Sequence, residues 1–147
     1  MKFSFVFYCA TLLSASALAA ESQPEKWQGH WAVDCNTSTS LKFGANKTAV
    51  LTVNQNQIYI EIKYREITDG TAEFFYVQPE ELGSGGNAID WDNISTSASI
   101  GTFRGQAERK ASFSWLGFSD KKTAKHFWVK EADFATAKNE VALVRCD

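Results

Sequence analysis

Histidine and cysteine are scarce in this chain, and the shortage bears on catalysis. Only two histidines, His30 and His126, stand among 147 residues. No serine, cysteine or acidic residue is tied to either by a recognised spacing, so no nucleophile and base can be paired from the sequence. Gly83-Ser84-Gly85-Gly86 is not the Gly-x-Ser-x-Gly elbow. Both histidines read as surface or packing residues. Charge of one sign is also missing as a block. Fifteen basic and seventeen acidic residues are interspersed, with a net charge of −2. There is no basic stripe for nucleic acid and no polybasic run for a membrane surface. Internal repeats and low-complexity tracts are absent as well.

The one long apolar run lies at the start, and it is too short to span a bilayer of roughly 30 Å. Lys2 supplies a positive n-region, and Phe3, Phe5, Val6, Phe7, Leu12 and Leu13 an apolar core. Ala17-Leu18-Ala19 then offers the small-x-small pattern of a signal peptidase site. Residues 1–19 are expected to be a cleaved signal peptide, with Ala20 the alternative cleavage point. The protein is therefore expected to be secreted or periplasmic. Cleavage removes Lys2 alone among the charges, leaving 14 basic against 17 acidic residues in a mature chain of 128. That length suits one domain with a sizeable core.

Of three cysteines, Cys9 leaves with the signal. The remaining two, Cys35 and Cys146, are expected to pair in an oxidising compartment, free thiols being the alternative. Such a bond would enclose nearly the whole mature chain, and the chain-entropy model assigns it roughly 4–5 kcal/mol. Three sequons, at Asn36, Asn46 and Asn93, are matched. No glycans are expected on them, because the short n-region looks bacterial.

Residues 20–26 are polar, contain Pro24 and read as a flexible leader, followed by a single β domain over 27–147. Trp31, Val33 and Cys35 alternate with Ala32 and Asp34, which predicts an opening strand with Trp31 buried. Asn36 to Ser40 reads as a loop. Strands are predicted over 49–53, 58–66 and 71–78, the second with Ile58, Ile60, Ile62 and Tyr64 on one face. Thr68-Asp69-Gly70 supplies the turn after it. Pro79 is expected to end the regularity, leaving 79–97 as a long irregular loop. Further strands are predicted over 100–105, 110–118, 126–130 and 140–146. The helix formers of 132–138 allow a short helix before the last strand. About eight short hairpin-connected strands make the fold all-β, a single antiparallel barrel or a barrel-like sandwich. A first-to-last disulfide favours the closed form.

Several residue groups bear on function. Asp90-Trp91-Asp92-Asn93 begins like a calcium loop but lacks Gly at the sixth position and Glu at the twelfth, so a capped turn is the reading and no metal or cofactor is expected. The carboxylates of Glu80, Glu81, Asp90 and Asp92 share one loop. Glycoside hydrolysis needs two carboxyls held roughly 5–9.5 Å apart on a rigid scaffold, which a glycine-rich stretch does not offer. Phe74-Phe75-Tyr76 and Phe127-Trp128 put adjacent rings on opposite strand faces, so one ring of each set points away from any single core.

The opening Trp27-x-Gly29-x-Trp31 resembles the Gly-x-Trp start of lipocalins and avidin-like proteins, the small calycin barrels. The resemblance implies a Trp packed at the closed end of a barrel and covered by a late basic residue, a part open to Arg145. It covers about nine residues and implies no ligand. Exported β domains of this size also include periplasmic inhibitors of hydrolases, but their Cys-flanked His/Asp loop is not found here.

The expected function is non-enzymatic binding. The leading form presents Glu80, Glu81, Asp90, Trp91 and Asp92 to a partner protein, as an inhibitor would. The alternative is a carrier of a small apolar or carbohydrate ligand, with Trp31, Phe113, Trp115 and Trp128 around a cavity. A hydrolase using the loop carboxylates stands third.

Overall fold

Strict alternation over Ile58–Tyr64 buries Ile58, Ile60, Ile62 and Tyr64 and turns the residues between them outward, and the whole architecture follows from repeating that pattern. The computed structural model describes residues 26–55, 58–135 and 140–147. The expected signal peptide and most of the leader lie outside the described residues. Among the described residues ten strands are formed: β1 (Gly29–Ala32), β2 (Ser40–Phe43), β3 (Thr48–Asn54), β4 (Ile58–Thr68), β5 (Thr71–Leu82), β6 (Ser99–Ala107), β7 (Lys110–Trp115), β8 (Phe118–Ser119), β9 (His126–Phe127) and β10 (Val141–Arg145). Eight of them close an antiparallel barrel in the order β1–β2–β3–β4–β5–β6–β7–β10. β8 and β9 form a separate two-stranded ribbon between β7 and β10. The fold is all-β, and closure decides for the barrel over the sandwich.

Closure is made by β1 and β10, where Trp31 pairs with Arg145 and Ala32 with Val144. The Cys35–Cys146 disulfide lies just beyond that pairing, with Cα atoms 5.4 Å apart. It joins the segment after the first strand to the residue after the last. The β1–β10 pairing makes the ladder continuous around the barrel, so neither the first nor the last strand is left as a free edge.

Aromatic rings fill the barrel. Phe43, Phe74 and Phe103 meet one another, Phe103 meets both Trp27 and Trp31 at 5.3 Å, and Phe74 meets Phe113 at 5.6 Å. Such pairs add about 0.5–1.5 kcal/mol each beyond the area they bury. Indole N–H groups find backbone acceptors: Trp31 Nε1 donates to the Trp27 carbonyl at 3.0 Å and Trp115 Nε1 to that of Trp128 at 2.8 Å. At the end where β1 begins, Trp27 packs on Phe43 and Tyr64 and closes the barrel. Gly29 is needed beside it. Its φ is +121°, and a Cβ there would sit 2.0 Å from Asp147 Oδ2.

The opposite end is closed by chain from outside the barrel strands. Asp133 accepts from the Gln55 N–H at 2.6 Å and its own N–H donates to the Val53 carbonyl at 2.8 Å, which lays this segment across the end of β3. Phe134 then enters the barrel against Phe113, ring centres 4.9 Å apart. The short helix expected over 132–138 is not formed among the described residues. Ala132–Ala135 make one turn, closed by Ala135 N–H on the Ala132 carbonyl, because the tie to β3 directs Phe134 inward; residues 136–139 lie outside the described residues.

Other boundaries also move. β1 stops at Ala32, so Val33 is 41% exposed and Cys35 lies beyond the strand. Ser40 opens β2 rather than closing a loop. Pro79 does not end β5. The pairing of β5 with β6 covers only Thr71–Phe75, so further along one edge of β5 has no ladder partner and proline forfeits nothing there. A register shift between Tyr59 and Ile60 accommodates it. The predicted strands over 110–118 and 126–130 break into β7, β8 and the two-residue β9.

Candidate functional site

The end closed by Phe134 is also where the irregular parts of the chain gather. After β5, two turns of 3-10 helix, Gly86–Ala88 and Trp91–Asn93, replace the long loop. Trp91 pins them from beneath. Its Nε1 donates to the Gly86 carbonyl at 2.9 Å, and its ring stacks on Tyr76 at 5.9 Å and meets Phe118 edge-on at 5.5 Å. Ile94 is fully buried behind it. Burial pushes the Tyr76 hydroxyl up to about 12, and the negative charge of Asp92 adds to that shift. Tyr76 is therefore a neutral phenol at any physiological pH.

The turn between β8 and β9 locks onto the same structure. Asp120 accepts from the N–H groups of Lys122 and Thr123 and from the Thr123 hydroxyl, at 2.9, 2.7 and 3.0 Å. It also accepts from the side-chain amide of Asn93. These bonds, the Thr123 N–H first, hold its carboxyl below the usual range. Lys121 completes the tie, its Nζ donating to the Asp92 carbonyl at 2.7 Å and its N–H to that of Asn93 at 2.8 Å. Trp128 follows with φ of +55°, unusual for a bulky residue, and in that conformation its carbonyl reaches the Trp115 indole.

Between these elements lies an open hollow of about 460 Å³. Ile89, Phe127 and Trp128 give it apolar surface, while Asp90, Asn93 and His126 give it polar groups. Half-buried rings beside exposed hydrogen-bonding groups suit recognition of a surface or ligand with both characters.

The residues proposed from sequence are distributed unevenly around this hollow. Asp90 and Trp128, taken from two different readings, line it together. Asp92 is exposed nearby, whereas Trp91 is spent on packing. Glu80 and Glu81 belong to β5 and Glu81 pairs with Tyr59, so they are strand residues and not part of the loop. Trp31, Phe113 and Trp115 are buried at 2% exposure or less and touch the protein's own rings, Phe134 included. Phe75 is the ring turned outward on β5, with the Arg65 guanidinium 5.3 Å from its centre. His126, expected as a surface or packing residue, is exposed on the rim of the hollow, a placement that a polar turn and a two-residue strand do not signal in sequence.

Among the described residues no group of three His, Cys, Asp or Glu side chains is placed to hold a metal ion, and no helix is long and apolar enough to cross a membrane. No protein-family model, curated protein or solved structure matches the chain.

Proposed function

We propose that this protein is an exported, non-enzymatic binding protein that presents the 86–93 turns and the rim of the adjoining hollow to a protein partner. One observation carries the reading: the turns are held from beneath by Trp91, Ile94 and the Asn93–Asp120 bond, while Asn87, Ala88, Asp90 and Asp92 remain exposed above. A segment already rigid in its binding form loses little conformational entropy on association, which is the economy inhibitory loops use. The disulfide fits an oxidising compartment. Arg145, with its guanidinium 5.9 Å from the centre of the Trp31 ring, supports the likeness to calycin barrels. That likeness bears on architecture and not on a ligand.

The carrier reading moves with the structure. Trp31, Phe113 and Trp115 pack the core, so a sugar or apolar ligand is better served by Phe127 and Trp128 at the surface hollow than by the barrel interior. The test is capture by the oxidised protein from an extract of its native compartment, run in parallel with an Asp90→Arg, Ala88→Arg variant. One protein retained by the wild type and lost by the variant supports the inhibitor-like reading. A protein retained equally by both sinks it.

A further inference from the structure

A second hollow, of about 260 Å³, lies on the outer wall of the barrel over β1–β4. Alternation turns His30, Ala32, Ser40, Lys42, Val50, Thr52 and Tyr59 away from the core. The strand register sets them side by side, His30 opposite Lys42, Lys42 opposite Val50, and Thr52 opposite Tyr59. Residues on the outside of a barrel are ordinarily wet. Here Ala32, Ser40 and Thr52 are only 0%, 5% and 3% exposed. The segment 33–39 folds back over this wall, and its Thr37 and Ser38 line the same hollow. Asp34 shapes that strap by accepting from the Asn36 N–H at 2.8 Å through its side chain and from Thr37 through its carbonyl. Cys35 ties it to Cys146.

Two polar atoms under the strap, His30 Nε2 and Ser38 Oγ, have no hydrogen-bond partner among the described residues, and both residues line the hollow. Buried polar groups are nearly always satisfied, so two orphans at one hollow point to a guest. The rest of the lining states its chemistry. Lys42 brings a positive charge, Thr37, Ser40, Thr52 and Tyr59 bring hydroxyl groups, and no carboxylate is present. Two acids lie near: Glu61 accepts from Gln78 at 2.7 Å, and Asp147 accepts from Arg145 Nε at 3.0 Å and from the His30 main-chain N–H at 3.3 Å, and neither carboxylate lines the hollow.

We propose that this hollow binds a small oxyanion, a phosphate or a carboxylate group, between the strap and the β1–β4 wall. A cation with several hydroxyl and ring donors meets an acceptor-only guest, and the charge-assisted bonds formed are the stronger kind. A neutral polyol would use the hydroxyls and leave Lys42 unmatched. The site is distinct from the surface proposed above for a partner and does not depend on it.

The test is an amide-resolved NMR titration of the oxidised protein with inorganic phosphate, with acetate and with glucose, at constant ionic strength in chloride. Saturable shifts at His30, Ser38, Lys42 and Thr52 are expected with one of the anions, with Kd of about 1 mM or tighter. The exposed Lys42→Met change is expected to weaken binding by about tenfold or more while leaving the spectrum of the core unchanged. Tighter phosphate assigns a phosphate ligand, and tighter acetate a carboxylate. Shifts no different from chloride, binding indifferent to Lys42→Met, or saturation by glucose alone would overturn the proposal. Ser38→Ala is a second variant, expected to weaken the same anion without unfolding the strap.

Discussion

The Arg145 guanidinium lies 5.9 Å from the centre of the Trp31 ring, from the position directly opposite it in the β1–β10 pair. This contact joins the first strand to the last, and the same arginine donates to the Gln28 carbonyl at 2.7 Å and to Asp147 at 3.0 Å. Arg145 is thus bound to both sides of the seam that closes the barrel. Changing it to methionine keeps much of the apolar stem and removes the charge and the donors. The expected loss is about 1–2 kcal/mol, combining a modest cation–π term with one charged hydrogen bond. Urea unfolding measures it, and an unchanged midpoint would show that the seam is held by the strand pairing alone.

The disulfide fastens the same seam covalently and encloses 111 residues of sequence separation. The double change Cys35→Ser, Cys146→Ser is expected to cost roughly 2–5 kcal/mol, mainly by freeing the unfolded chain. Comparing oxidised wild type with the double variant at equilibrium checks this. A loss well below 1 kcal/mol would mean that residual structure in the unfolded state already holds the ends together.

Phe134 closes the far end of the barrel against Phe113. Phe134→Ala removes a fully buried ring and should cost about 3–5 kcal/mol, provided the 131–135 segment does not collapse into the space. Asp133→Ala should cost less, because it loosens the tie to β3 without removing the ring. Thermal or urea melts would show the order of the two; Asp133→Ala as the worse variant would contradict the plug.

Acid sensitivity should centre on Asp120. Its carboxyl is held below the unfolded value by bonds that favour the ionised form, led by the Thr123 N–H. Its contribution is therefore complete above about pH 4 to 5 and is lost as pH falls through the lowered folded value. Asp120→Asn should flatten the difference in stability between neutral pH and about pH 3, relative to wild type. Asp69 and Asp147, lowered by Lys26 and Arg145, continue to contribute in both proteins. An identical pH profile for wild type and variant would show that the turn is not coupled to folding.

Much of this architecture is legible in the residues, for reasons that can be named. The run Ile58–Tyr64 has a two-residue period that only a half-buried strand explains, and the cysteine pair admits one bond. β2 escaped because four residues, Ser40–Phe43, carry too little periodicity to stand out from a polar loop. Pro79 misled because sequence does not reveal which edge of a strand lacks a partner. Among the helix formers of 132–138, the described Ala132–Ala135 follow a tertiary tie, Asp133 on β3, that no local pattern encodes. The hollow joins Asp90 to Trp128 across a ribbon whose strands are two residues long, too short to be read in advance. Aromatic residues are ambiguous in sequence: Trp31, Phe113 and Trp115 read as core first and as a ligand cage in the alternative, and the Phe134 ring packed against Phe113 is not visible to any local pattern.

The most direct test of the binding role is amide hydrogen exchange on the protein bound to the partner captured from its native compartment. Protection confined to 86–93 and 120–128 is the predicted result. Protection at the Trp27–Trp31 end or on the β3–β4 wall, with 86–93 exchanging as in the free protein, would contradict it.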